Sequence, residues 1–241
     1  MTVRWVTGFL DTPSRDAEPF WLAVTGTALS SRRGPGGAFA TLIPAAGDAC
    51  LRVQVVADPP ARGHLDLHVD DVEQAAAVVT GLGAVVTYAE DGLVVLRSPA
   101  GIAFCLVRWE GERVRPGSVR WPGGQSSLVD QVSLDIPAAV YVREAAFWAA
   151  VTGWRSRASD MPEFSFLEPD PALPLRLLLQ RTGGERAGVH LDFACDDVDT
   201  EVARHVALGA VVVRRVAGSW TTLRDPAGRE YCVTARSPAG W

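Results

Sequence analysis

The chain has 241 residues, with 23 Lys and Arg against 28 Asp and Glu, a formal net charge of −5 at pH 7. An apolar content of 48% describes a globular chain with ample core rather than a disordered one. The basic residues are scattered and all Arg, which argues against a nucleic-acid surface, and no apolar run approaches the ~20 residues of a bilayer span.

The N-terminus, Met1-Thr2-Val3-Arg4-Trp5, lacks a basic segment followed by an apolar one, so a cytoplasmic protein is expected. Cys50, Cys105, Cys195 and Cys232 show no C-x-x-C spacing and read as compact buried thiols rather than a disulfide framework. Nucleotide-binding glycine loops, the serine-hydrolase elbow and the H-E-x-x-H zinc motif are all absent.

From Trp5 to Trp109 the chain reads as two consecutive strand–helix–strand–strand–strand units. Phe20-Trp21 falls on the apolar stripe of the first helix. His64-Leu65-Asp66-Leu67-His68 alternates along a strand, placing His64, Asp66 and His68 on one face. Pro116, Gly117, Pro122, Gly123, Gly124 and a Ser pair then mark residues 113–127 as a linker.

The second half repeats the plan. Asp130 to Ile136 alternates as a half-buried strand, and Ala146, Phe147, Ala150 and Val151 form a helical stripe stopped by Gly153. Strands are expected at residues 163–167 and 175–180, separated by the turn Glu168-Pro169-Asp170-Pro171. After the strand opening His190-Leu191-Asp192-Phe193, Asp196 or Asp197 caps a helix that carries Val198, Val202 and Val206 inward. Leu208-Gly209-Ala210 ends it, Val211 to Val213 is a strand, and residues 220–224 and 230–234 form a hairpin around Asp225-Pro226-Ala227-Gly228.

Laid over each other, the halves match. His64-Leu65-Asp66-Leu67 returns as His190-Leu191-Asp192-Phe193, Leu82-Gly83-Ala84-Val85-Val86 as Leu208-Gly209-Ala210-Val211-Val212, and Gln54 as Gln180. Phe20-Trp21 recurs as Phe147-Trp148, and Ser98-Pro99-Ala100-Gly101 as Asp225-Pro226-Ala227-Gly228. The period is too long for a solenoid, whose units run to about 20–50 residues. Two homologous domains are therefore expected, 1–112 and 128–237. They differ at one chemically important place: Glu230 faces Ala103.

These stretches, with Leu178-Leu179-Gln180-Arg181 and Leu223-Arg224-Asp225-Pro226-Ala227-Gly228-Arg229-Glu230, resemble the vicinal oxygen chelate superfamily, the glyoxalase, bleomycin-resistance and extradiol dioxygenase group. More narrowly, the chain resembles actinobacterial glyoxalase-like domain proteins. The resemblance implies an α+β fold in which each domain pairs two βαβββ modules into a cupped, eight-stranded mixed sheet with a divalent metal at its floor. Carried over by position, the metal ligands are Gln131, Gln180, His190 and Glu230, facing Thr7, Gln54, His64 and Ala103 in the first domain. Extradiol dioxygenases place His where Gln131 stands, which disfavours that activity here.

One His, one Glu and two Gln carbonyls would suit a divalent ion such as Ni, Zn, Mn or Fe. Glu230 is the candidate catalytic base, and Asp192 and Trp220 are expected to contact substrate from the cup. A structural role is also open, because His64 persists where the acid is lost and a His–Asp pair at i and i+2 can simply hydrogen-bond. The first domain is accordingly expected to have lost its metal. The expected function is that of a metal-dependent lyase or isomerase acting on a small carbonyl or vicinal-dioxygen substrate. The alternative is a metal-free binder of the drug-sequestering type. The expected partner is a small molecule, with no nucleic acid or membrane, in a monomeric pseudo-dimer or a homodimer.

Overall fold

A computed structural model describes residues 1–239 of the chain. The first half runs β1 (Val3–Thr12), α1 (Glu18–Thr25), β2 (Ala28–Leu29), β3 (Phe39–Ile43), β4 (Leu51–Val55), β5 (Arg62–Val69), α2 (Val72–Gly81), β6 (Val85–Glu90), β7 (Leu93–Arg97) and β8 (Ala103–Arg108). The second runs β9 (Val119–Arg120), β10 (Ser126–Pro137), α3 (Tyr141–Thr152), β11 (Arg155–Ala158), β12 (Phe164–Glu168), β13 (Arg176–Thr182), β14 (Gly188–Cys195), α4 (Val198–Ala207), β15 (Val211–Val216), β16 (Trp220–Arg224) and β17 (Glu230–Ala235). None of the described helices is long and apolar enough to cross a membrane.

Each half forms one mixed sheet. The orders are β2-β3-β4-β1-β5-β8-β7-β6 and β11-β12-β13-β10-β14-β17-β16-β15, with β9 added on β10. The two βαβββ units of each sheet join through an antiparallel central pair, β1 with β5 and β10 with β14. Residues 113–127 are therefore not wholly irregular, because Val119 and Arg120 pair with Ser127 and Ser126.

The expected helix signals act locally. Asp71 and Asp197 cap α2 and α4 by accepting from the amides of Gln74 and Thr200, and left-handed Gly26 and Gly153 end α1 and α3. One inward assignment fails: Val206 is exposed, while Glu201, Val202 and His205 form the buried face of α4. A 3.6-residue period starting at Val198 turns Val206 to solvent once Val202 and His205 set the contact line.

Strand alternation decides which side chains face the cups. On β14, Leu191 and Phe193 pack into the core while His190 and Asp192 point the other way; on β17, Tyr231 and Val233 are core and Cys232 opposes them. Of the helices on the backs of these sheets, α2 and α4 pack on their own half, while α1 and α3 each reach the sheet of the other. Trp21 of α1 stacks on Phe193 at 6.3 Å and meets Tyr231 edge-on at 5.2 Å, while Trp148 of α3 meets Phe104 of β8 at 5.1 Å. Both Trp side chains are fully buried. The domains share one continuous core, and Gly63 lets β5 approach β14 so closely that a Cβ there would lie 3.1 Å from Val189 O.

Candidate functional site

The second cup is a cavity of about 240 Å³ whose floor carries Gln131, Arg176, His190, Asp192 and Cys232, and whose walls include Phe164, Phe166 and Trp220. Register builds this floor. Asp192 sits opposite Gln131 on one side and Cys232 on the other, so three neighbouring strands each deliver one polar side chain at one level. Trp220 lines the wall, with Phe164 edge-on to it at 5.7 Å.

His190 is held at both ring nitrogens. Nδ1 lies 2.9 Å from Asp135 Oδ2, and Nε2 lies 3.3 Å from Asp192 Oδ1 and 3.9 Å from Cys232 Sγ. Burial works against charge on the imidazole, but the two carboxylates outweigh it and hold the pKa well above the usual histidine range. Burial likewise opposes charge on Asp192, yet His190 and the Ser133 hydroxyl hold its carboxyl below the usual range. The Cys232 thiol is pushed up, first by burial and then by Asp192.

Asp192 uses its two oxygens differently. Oδ2 accepts from the Gln131 amide and from Ser133 Oγ at 2.6 Å, while the buried Oδ1 has only the His190 ring beside it, 3.3 Å from Nε2. Gln131 in turn accepts from Arg176 Nε at 2.7 Å. Its amide nitrogen thus faces the carboxylate and its oxygen faces the Arg176 guanidinium, so Gln131 positions Asp192.

The first cup repeats the plan. His64 Nδ1 lies 2.8 Å from Asp11 Oδ2, Nε2 lies 3.6 Å from Asp66 Oδ1, and Asp66 faces Cys105 in the β5–β8 register. Asp66 Oδ1 is again buried. In each domain the ligand-type atoms of His, Asp and Cys lie within 4.8 Å of one another. His68, the third member of the alternating strand, stands apart: it contacts Thr7 Oγ1 at 2.9 Å, and burial followed by the nearby Arg52 lowers its pKa to about 3.

Not every residue expected at the site arrives there. Gln131, Gln180, His190, Asp192 and Trp220 all line the second cup. Glu230 does not; it lies two residues ahead of Cys232 at the strand start, its side chain 49% exposed, and pairs with Arg224 at 2.8 Å. The register brings Cys232 beside Asp192 and leaves the carboxylate of Glu230 at the strand end. Sequence reasoning treated Cys232 as a buried thiol and passed over Asp135. The recurrence of His-x-Asp together with a Cys at matching places, Cys105 and Cys232, was the available signal.

Both cups also meet the chemical test for a divalent ion. Imidazole, carboxylate and thiolate make a borderline donor set suited to zinc-like ions. A carboxylate holding Nδ1 of a ligating His is the usual way of directing Nε2 at a metal, and Asp192 Oδ1 lies 3.3 Å from that nitrogen. The domains differ in charge. Asp66 is raised, by burial foremost, and has Arg52 3.7 Å away, whereas Asp192 stays ionised among neutral donors and His190.

A sequence profile of the Glyoxalase-like domain matches residues 9–107 and 131–234. The chain belongs to this family. No curated protein matches it in sequence. Among solved structures, the glyoxalase-like chain is similar to BphC, a halotolerant catechol dioxygenase, at 16% identity with TM-score 0.63, covering 97% of this chain and 87% of that one. It is also similar to a variant of 4-hydroxymandelate synthase from Streptomyces coelicolor, at 15% identity with TM-score 0.61, covering 96% and 92%. A variant of homoprotocatechuate 2,3-dioxygenase from Brevibacterium fuscum matches at 14% identity with TM-score 0.67, covering 96% and 70%. At these identities the likeness establishes the vicinal oxygen chelate fold alone.

Proposed function

We propose that the C-terminal cup is the active site of a glyoxalase-like lyase or isomerase for a small carbonyl or vicinal-dioxygen compound, with a divalent ion held by His190, Asp192 and Cys232. The observation that carries this reading is the convergence of His190 Nε2, Asp192 Oδ1 and Cys232 Sγ on one point of the cavity floor. Bound there, the ion would supply Lewis-acid polarisation of two adjacent substrate oxygens.

The chain's own residues supply the rest. Asp135 fixes the imidazole orientation, and Gln131 with Ser133 holds Asp192 so that Oδ1 remains available. Phe164, Phe166 and Trp220 flank a planar substrate and exclude water, which strengthens every charge interaction on the floor. Arg176, its guanidinium 4.6 Å from the Phe166 ring centroid, presents positive charge to oxygens of the substrate.

Elemental analysis of the purified chain, with Cys232→Ser and Cys105→Ser beside it, tests this. About one ion per chain, lost with Cys232→Ser and kept with Cys105→Ser, is expected. No ion after reconstitution with nickel, zinc, manganese or iron removes the reading.

One observation favours a second reading, that of a metal-free binder. Asp192 is the one carboxylate among the described residues lining this cavity, and Gln131, Ser133 and His190 already engage it, so no spare base faces a substrate. On that reading the cup sequesters a planar molecule between aromatic walls. Dialysed protein would then show saturable tryptophan quenching by such molecules, abolished in Trp220→Ala, and no quenching would end it.

A further inference from the structure

The N-terminal cup differs in character from its counterpart. It is a cavity of about 390 Å³ into which Arg33, Arg52, Arg62 and Arg97 all open, in a chain whose overall charge is negative. Four guanidiniums face two carboxylates, Asp11 and Asp66, and those two are already engaged by His64 and Arg52 on the floor. The second cup, by contrast, has two arginines, of which Arg236 is gripped by both oxygens of Asp130 at 2.5 and 2.6 Å.

The outer three arginines have neutral partners. Arg33 donates to Thr41 Oγ1 at 3.0 Å, Arg62 to Asp58 O at 3.4 Å and Arg97 to Gly101 O at 2.9 Å. No carboxylate among the described residues lies within 4.0 Å of any of these three, although all of them open into one cavity. The repeat explains part of this surplus. Arg97 corresponds to Arg224, which Glu230 neutralises; Ala103 stands at that place in the first domain and leaves Arg97 without an acid. Arg52 corresponds to Leu178, so a second positive charge has no counterpart in the other cup.

Between the rim and the floor the surface is apolar and aromatic. Phe9 stacks on His64 at 4.3 Å, and Phe39, Leu93 and Val95 also line the cavity. A guanidinium rim over an aromatic wall matches a ring that carries an anionic group, because guanidinium pairs carboxylate or phosphate oxygens in bidentate fashion while the ring is desolvated below.

We propose that the N-terminal cup binds a small planar organic anion, an aryl carboxylate or aryl phosphate, with its ring against Phe9 and Phe39 and its charge on Arg33, Arg62 and Arg97. This site is chemically distinct from the C-terminal cup and stands whether or not that cup holds a metal.

Calorimetric titration of the full chain with benzoate, phenyl phosphate, benzamide and inorganic phosphate tests it. One of the two aryl anions should bind saturably, with affinity falling as salt rises; which binds more tightly identifies the anionic group. Benzamide should bind at least about tenfold more weakly, and an Arg33→Gln/Arg97→Gln variant should lose about tenfold or more. Both arginines are exposed, so that variant should keep the parent melting temperature. Arg4→Gln, which removes a surface arginine outside both cups, should bind as the parent does. Equal affinity for benzamide, equal affinity for inorganic phosphate, unchanged binding in the arginine variant, or no saturable binding of either aryl anion would each overturn the proposal.

Discussion

The indole nitrogen of Trp21, on the first helix of the N-terminal domain, donates to Asp225 Oδ2 in the closing turn of the C-terminal domain at 2.8 Å. Its repeat partner makes the reciprocal connection by another route. Trp148 Nε1 donates to Glu144 Oε1 at 2.8 Å, and Glu144 Oε2 accepts from the Ala100 amide, in the equivalent turn of the first domain, at 2.8 Å. Where one pair has Asp225 on the turn and Ala17 on the helix, the other has Ser98 on the turn and Glu144 on the helix. The carboxylate has changed sides while the connection persists.

Trp21→Phe keeps most of the apolar burial and removes the donor. Asp225 Oδ2 retains Arg229 Nη1 at 3.1 Å, so a loss of about 1–3 kcal/mol is expected by denaturant unfolding. Trp21→Ala should cost more, about 3–5 kcal/mol, because it also empties the space between Phe193 and Tyr231.

Asp135 touches no substrate in the proposed arrangement and acts through His190. Asp135→Asn should therefore weaken metal affinity about 10–100-fold while leaving some binding. Competition with a coloured chelator measures this, and an unchanged affinity would show that the imidazole needs no such partner.

Glu230→Ala should leave metal content and ligand binding at parent levels, because the side chain pairs with Arg224 outside the cavity. The stability change should stay within about 0.5 kcal/mol, as for other exposed pairs. Loss of metal on this substitution would return Glu230 to the ligand set.

The acid side of the stability profile should depend on Glu201. Burial opposes its charge, but Arg204, His205 and Ser127 outweigh that and hold the carboxyl well below the usual range. A group whose folded pKa is depressed stabilises the fold above its unfolded value, about 4.3, and loses that contribution as pH falls toward the folded value. His205 is also lowered, by burial foremost, so from about pH 6.5 downward the unfolded chain takes up a proton that the fold resists. Thermal melts from pH 6 to pH 3 should show stability falling, with a shallower fall below pH 5 in Glu201→Gln.

The sequence alone determined the duplication, the βαβββ order, the helix caps at Asp71 and Asp197 and the cup-facing side of β14, because each follows from local periodicity and side-chain chemistry. It also delivered Gln131, Gln180, His190, Asp192 and Trp220 to one cavity. Only the tertiary structure decided that Cys232 and Asp135, and not Glu230, complete the cluster, since strand register sets which of two residues on the same face stands beside Asp192. The exchange of α1 and α3 between the domains, and the surplus of unpaired arginines in the first cup, were equally invisible. Both depend on which distant carboxylates come within reach, and that is a property of packed elements rather than of neighbouring residues.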